Sequence, residues 1–200
     1  MKKTGIIVLV VVIIIGFFLY NGIVGFQQTA VKQEEGVKTA WSNVESSYQR
    51  RNDLIGNLVK TVQGAADFER STLTEVIEAR SKATSVNIDA GNLTPENIEA
   101  YSQAQSGLSS ALSRLLVSVE RYPDLKANQN FLNLQAQLEG TENRINVERN
   151  KYNAAVGDFN TYIKQFPRNF YNSFFGFEEK TRYQADAGAE DAPDVEFNFD

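Results

Sequence analysis

The sequence predicts an all-α protein with one N-terminal transmembrane helix, an up-and-down antiparallel four-helix bundle and a flexible acidic C-terminal tail. Three observations predict this fold. An uncharged, mostly apolar stretch follows Lys2 and Lys3. From residue 27 onward, apolar residues recur at steps of three and four, the spacing that places them on one face of a helix. Pro95 is the only proline in residues 27–122 and 128–166, and it stands where a helix is expected to begin.

Residues 1–26 are predicted to form a retained membrane anchor. As a helix, Gly5 to Phe26 would extend about 33 Å, whereas the hydrocarbon core of a bilayer is about 30 Å thick. A cleaved signal peptide is the alternative, but its apolar region is usually only about 7–15 residues long and is followed by an A-x-A-like site. Neither property is found here, and the sequence therefore favours an anchor.

The charges beside this apolar stretch predict its orientation. Lys2 and Lys3 precede it directly, whereas the first basic residue on the other side is Lys32, close to Glu34. Positive charge is enriched on the cytoplasmic side of membrane spans. The N-terminus is therefore predicted to be cytoplasmic, with the remaining chain on the opposite side.

Composition argues against several classes of function. The chain has 25 acidic and 20 basic residues, a net charge of −5, which does not suit nucleic-acid binding. It contains neither histidine nor cysteine, so Ser-His-Asp triads, cysteine nucleophiles, disulfides and thiolate metal sites are excluded. We predict no enzymatic activity, no cofactor, no metal and no nucleic-acid partner.

Residues 27–167 are predicted to form the bundle. A coiled-coil-like seam starts at Val37, and Gly64 separates it from a second stripe of apolar residues. Thr94 and Pro95 are typical of an N-cap and first helical residue, and Pro123 and Pro167 end the third and fourth helices. Because a lone glycine costs a helix only about 1 kcal/mol, a three-helix bundle with one long first rod is the alternative.

The C-terminal region differs from the bundle. Residues 168–184 are rich in aromatic side chains, and residues 185–200 form an acidic segment predicted to be a disordered tail. The aromatic residues are expected either to pack on the end of the bundle or to contact a partner or the bilayer interface. The tail is either inert or a strand-adding peptide. The predicted partner-contact residues are Phe170, Phe174, Phe175, Phe177, Val195, Phe197 and Phe199.

Several polar residues lie on or beside the apolar faces of these helices. We interpret them as a buried or half-buried network that sets helix register, as polar core residues do in coiled coils. A site for a small polar ligand is one alternative, and a catalytic carboxylate pair formed by Glu120 and Glu142 is another. The predicted network consists of Arg51, Arg80, Glu120, Glu142, Arg149, Asn153 and Asn160.

The sequence resembles the bacterial LemA family across most of residues 1–177. The similar phrases are Ala40–Val44, Arg50–Val59, Glu78–Arg80, Leu108–Leu115, Glu120–Asn128, Leu138–Ile145, Arg149–Asn153 and Tyr162–Pro167. Gly56 departs from the family phrase, which more often has proline there, and the first helix is therefore expected to be straighter. The resemblance implies a single-pass protein of the bacterial inner membrane with a helical-bundle body. It also implies a role in envelope maintenance, sometimes beside a membrane protease, but no established biochemical activity.

These observations favour a non-catalytic, membrane-tethered helical scaffold or adaptor in the cell envelope, in the service of membrane-protein quality control. Its predicted partners are the bilayer, through residues 5–26, and other membrane proteins. Self-association is left open, because heptad seams assemble equally well within and between chains. The second hypothesis is a ligand-binding or sensory bundle that uses its internal polar layer, and an enzyme ranks third.

Overall fold

The computed structural model describes residues 2–64 and 68–183, and within these residues all regular secondary structure is helical. This confirms the predicted all-α class. The helices are α1 (Lys2–Gln63), α2 (Arg70–Ser85), α3 (Pro95–Val119), α4 (Pro123–Lys126), α5 (Gln129–Lys164) and α6 (Arg168–Phe175). The acidic tail predicted for residues 185–200 lies outside the described residues.

Helix α1 joins the candidate membrane span to the bundle without a break. It has 62 residues, which corresponds to about 93 Å of helix. From Gly5 to Asn21 every residue is exposed, whereas Phe26 and Ala30 are buried against the rest of the protein. The N-terminal part is long and apolar enough to cross a membrane.

Local sequence signals explain the helix boundaries. Helix α1 ends at Gln63 beside Gly64, and α2 begins separately at Arg70. The Thr94 hydroxyl accepts a hydrogen bond from the Asn97 amide at 3.3 Å, and Pro95 occupies the first turn of α3. The Asn128 side chain caps α5 by accepting from two backbone amides. These caps satisfy donors that a helix N-terminus would otherwise leave unpaired.

The bundle contains two apolar cores, which follow one another along α1. Helix α5 packs beside α1 along most of the bundle. The membrane-distal core includes Leu54 to Val62 of α1 with parts of α2, α3 and α5. The membrane-proximal core includes Val37 to Tyr48 of α1, part of α3, the C-terminal half of α5 and Tyr183. Trp41, the only tryptophan, is fully buried in the proximal core. Between the cores, each of the three helices α1, α3 and α5 contributes a polar residue.

Candidate functional site

The polar layer between the two cores is organised by Arg51. Its guanidinium is only 3% exposed and donates hydrogen bonds to the Gln105 side-chain oxygen at 2.7 Å and to the Gln105 backbone carbonyl at 3.2 Å. It also donates to Ser109 at 2.9 Å and to Glu142 at 3.1 Å. One side chain of α1 is thereby joined to α3 and α5. Because only one vertical alignment of the helices allows these bonds, the layer can fix helix register.

The Arg51–Glu142 pair is asymmetric in its burial. Arg51 is 3% exposed, whereas the Glu142 side chain is 46% exposed. Water therefore screens the carboxylate, and the neutral acceptors of Gln105 provide the more buried interactions of the guanidinium. Arg51 Nε has no hydrogen-bond partner among the described residues. The arrangement supports a structural role, since the helices hold the guanidinium on several sides.

Two other predicted charged residues, Arg80 and Glu120, have partners outside this layer. Arg80 donates from Nε to the Asn52 carbonyl at 2.8 Å, and Gly56 makes room, because a Cβ there would lie 3.2 Å from the guanidinium. Glu120, at the C-terminal cap of α3, is exposed and pairs with Lys126 of α4. It points outward because the apolar face of α3 ends at Val119. Glu120 and Glu142 therefore do not form a shared buried pair.

Asn153 and Asn160 hold the extended segment 177–183 against α5. Asn160 donates to the Lys180 carbonyl at 2.9 Å and accepts from the Lys180 amide at 2.9 Å. Asn153 does the same with Tyr183, at 2.9 Å and 2.7 Å. In α6, Asn172 repeats the pattern on Phe177. We call these three residues and their backbone partners the asparagine clamp.

The spacing of the clamp follows from helix and strand geometry. Seven residues of α5 separate Asn153 from Asn160, a rise of about 10.5 Å. Three extended residues separate Lys180 from Tyr183, a length of about 10 Å. The two lengths match, so that each asparagine side chain lies opposite one residue of the segment and binds both its backbone N–H and its backbone C=O. Gly176 adopts a left-handed conformation with φ of 71° at the end of α6, where the chain turns back along the bundle.

Tyrosine hydroxyls bind the C-terminal end of the segment 177–183. The Tyr48 and Tyr183 hydroxyls lie 3.0 Å apart, and the Tyr152 hydroxyl donates to the Thr181 carbonyl at 2.7 Å. Arg149, another predicted network residue, lies over the Tyr183 ring at 4.0 Å. Burial raises the pKa of Tyr48, Tyr101 and Tyr152 far above the usual value, because the phenolate is poorly solvated there. These tyrosines are therefore neutral structural groups at physiological pH.

An aromatic cluster surrounds Phe26 at the lower end of the bundle. The Phe26 ring stacks on Tyr162 at 5.7 Å and contacts Tyr171, Phe175 and Phe177 at 5.8–6.0 Å between ring centres. Phe177 also contacts Phe159 in the proximal core. Phe170 and Phe174 point away, with 62% and 76% of their surfaces exposed. The predicted aromatic residues are thus divided between packing on the bundle and exposure.

A polar recess of about 310 Å³ opens beside the central layer. Asn52 is 5% exposed, and its Oδ1 atom has no hydrogen-bond partner among the described residues. Two carboxylates, Glu45 and Asp53, also line the recess. Within the described part of the chain, no group of three or more acidic residues is placed to hold a metal ion. Val195, Phe197 and Phe199 lie outside the described residues.

Sequence reasoning missed several participants in these contacts. Gln105 is a polar residue at a position of the apolar stripe of its helix, as Arg51 is. The same criterion that selected Arg51 could therefore have identified it. Asn172 and Tyr183 gave no periodic signal, because their contacts depend on the chain reversal at Gly176. The ion pair between Lys180 and Glu34, 2.7 Å long and about four-fifths buried, joins residues far apart in sequence and was also missed.

The geometry defines a helical-bundle protein with a candidate N-terminal membrane span, a central polar layer and a clamped C-terminal segment. The model of the LemA family matches residues 40–197, and the chain belongs to this family. The resemblance noted from the sequence is thus confirmed.

Curated relatives carry two kinds of name. Magnetosome protein MamQ 2 of Paramagnetospirillum magneticum is 29% identical over 177 residues, covering 78% of this chain and 64% of that protein. Protein LemA of Metamycoplasma hominis is 28% identical over 162 residues, covering 81% of this chain and 70% of that protein. The chain thus spans somewhat less than two thirds of the length of the MamQ protein. Neither these names nor the family description states an enzymatic reaction.

Proposed function

We propose that this protein is a non-catalytic, membrane-tethered scaffold or adaptor of the bacterial cell envelope. Its N-terminus would be cytoplasmic, its span would cross the inner membrane, and its bundle would stand outside the cytoplasm. The bundle would present its outer faces to other membrane proteins, including a membrane protease in the service of quality control. A second copy of the chain is another partner compatible with the seam.

The observation that carries this proposal is the continuity of α1. The helix passes from the exposed apolar stretch into the bundle core with no interruption between Lys2 and Gln63. Beyond Phe26 it extends for about 55 Å. A continuous helix transmits orientation as well as attachment, so the bundle would be held at a set height and rotation above the bilayer. This is a useful property in a scaffold, because a partner in the same membrane then meets a constant surface.

In-cell photocrosslinking of the full-length protein tests this function. A photoreactive amino acid would replace Val117 or Val147, which are 72% and 50% exposed, in otherwise unchanged chains. A scaffold should give discrete protein adducts that can be identified by mass spectrometry. The comparison chain carries a flexible Gly-Ser insertion after Gln28, which keeps both segments but uncouples the span and Phe26 from the rest of the bundle, and Trp41 emission would verify that the proximal core stays folded. Absence of protein adducts from all exposed positions, or adducts indifferent to the insertion, would contradict the proposal.

The polar recess favours a second candidate function, the binding of a small polar molecule. Asn52 Oδ1 is a buried acceptor that a donor group could satisfy, and Glu45 and Asp53 favour a cation. A small organic amine has both properties. Thermal shift with a panel of such amines tests it. A binder should stabilise the native chain but not Asn52→Leu, whereas no stabilisation by any amine at millimolar concentration would exclude this class of ligand.

A further inference from the structure

Helix α6 lies beside the point at which α1 leaves its apolar stretch. The Tyr171 hydroxyl lies 3.1 Å from the position that a Cβ would take on Gly22, and the Tyr171 ring is 5.9 Å from the Phe26 ring. A hydrocarbon core of about 30 Å accommodates about 20 helical residues, which places its upper limit near Val24 when it begins at Gly5. The contacts of α6 at Gly22 and Phe26 therefore bracket this limit.

The helix has two aromatic faces with different surroundings. Tyr171 and Phe175 face α1 and contact Phe26. Phe170 and Phe174, four residues apart, share a neighbouring face about 100° around the helix and contact each other at 5.4 Å. Phe166, in the connection that precedes α6, is 82% exposed. We call Phe170 and Phe174 the outer phenylalanine row.

We propose that α6 is a second membrane contact, which inserts the outer phenylalanine row into the boundary between lipid headgroups and acyl chains. This inference rests on the proposed function, because it requires the retained span. Aromatic rings are enriched at this depth, and short amphipathic helices lie in the interface plane with their apolar faces toward the acyl chains. The bilayer is the occupant that the structure favours, since the span itself brings lipid to the level of α6.

The second contact would fix the tilt of the bundle. A single span leaves the body free to tilt with the helix, whereas a second contact through α6 would restrict tilt and rotation together. The asparagine clamp supports this arrangement, because it binds the segment that follows α6 to the side of α5. Arg168, whose guanidinium lies 4.3 Å over the Tyr162 ring, would then be at the level of the lipid phosphates.

The absence of cysteine from the sequence allows a direct test by site-directed spin labelling. Full-length variants Phe170→Cys and Phe174→Cys would be spin-labelled in vesicles of phosphatidylcholine and phosphatidylglycerol. The membrane control is Ile14→Cys, within the span, and the water control is Val117→Cys, near the distal end of α3. Collision with oxygen reports lipid surroundings, and collision with a water-soluble nickel chelate reports water. Since all four positions are exposed, the labels should leave folding unchanged, which Trp41 emission would verify.

The proposal predicts that oxygen collisions dominate at positions 14, 170 and 174 and that nickel collisions dominate at position 117. Nickel-dominated collisions at 170 and 174, with an oxygen-dominated signal at 14, would overturn it. The outer phenylalanine row would then be assigned to a protein partner or a second copy, and the proposed function would survive. Nickel access at position 14 would instead show that the span is not in the bilayer, and both proposals would fail.

Discussion

Replacement of Arg51 by alanine is expected to destabilise the bundle by about 2–4 kcal/mol, because a buried acceptor loses its donor and the truncation leaves a cavity. The structure indicates where this energy comes from. The side-chain oxygen of Gln105, a residue only 2% exposed, would lose its charged donor at about 1–3 kcal/mol, whereas the Gln105 carbonyl keeps the Ser109 hydroxyl as a donor at 3.3 Å and should cost less. The Glu142 carboxylate is 46% exposed and should contribute less than about 1 kcal/mol.

Urea unfolding of the full-length protein in detergent, followed through Trp41 fluorescence, measures this effect. Trp41 is 0% exposed in the proximal core, so its emission should change strongly on unfolding. Glu142→Gln is the matched control, because it removes the charge of the exposed partner and keeps its shape. A loss below about 1 kcal/mol for Arg51→Ala, or an equal loss for Glu142→Gln, would refute our assignment of the energy to the Gln105 acceptors.

Three further predictions concern other parts of the bundle. Asn153→Ala should raise the amide hydrogen exchange rate of Tyr183, and Asn160→Ala should raise that of Lys180. Each rate should rise about tenfold, which corresponds to the loss of a bond of about 1.4 kcal/mol. Exchange rates equal to those of the wild type, or raised equally by the exposed control Asn150→Ala, would contradict the clamp. Because the pKa values of Tyr48, Tyr101 and Tyr152 are raised in the folded state, their contribution to stability should persist below pH about 10. Above that pH the contribution to stability should fall by about 1.4 kcal/mol per pH unit for each tyrosine. Alkaline unfolding followed by tyrosinate absorbance measures this loss. Ionisation of all eight tyrosines without unfolding would contradict the prediction. Gly56→Pro should cost at least the usual loss of about 3 kcal/mol, because its Cβ would lie 3.2 Å from the Arg80 guanidinium, whose Nε donates to the Asn52 carbonyl. A double-mutant cycle with Arg80→Ala should show coupling, and additivity would contradict this reasoning.

The sequence predicted the local features of this fold well because their causes are local. Helical periodicity identified the buried faces, and turn chemistry located the boundaries near Gly64, Pro95, Pro123 and Pro167. The continuity of α1 through Phe26 agrees with the absence of proline from residues 1–94. The helix α6 was not predicted, since the aromatic composition of residues 168–175 masked its periodicity over only two turns.

The assembly of the polar residues was less predictable from the sequence. Positions on an apolar face identified Arg51 and Glu142, which meet, but did not distinguish them from Arg80 and Glu120, which have other partners. Asn153 and Asn160 showed a heptad spacing typical of a helix–helix seam, yet their partners are backbone groups 20–30 residues later in the chain. Such contacts depend on the chain reversal at Gly176, and no pattern within α5 reports it.

Both proposals require that α1 is one rigid helix, retained in the mature protein, that couples the span to the bundle. Pulsed electron paramagnetic resonance between labels at Tyr20→Cys and Ser46→Cys, in protein expressed in cells and reconstituted in nanodiscs, tests it most directly. We predict a narrow distance distribution centred near about 39 Å, the rise of 26 helical residues. A broad distribution at shorter distances would show a flexible joint, and loss of the dipolar signal because residue 20 had been removed with a cleaved leader would contradict the anchor itself.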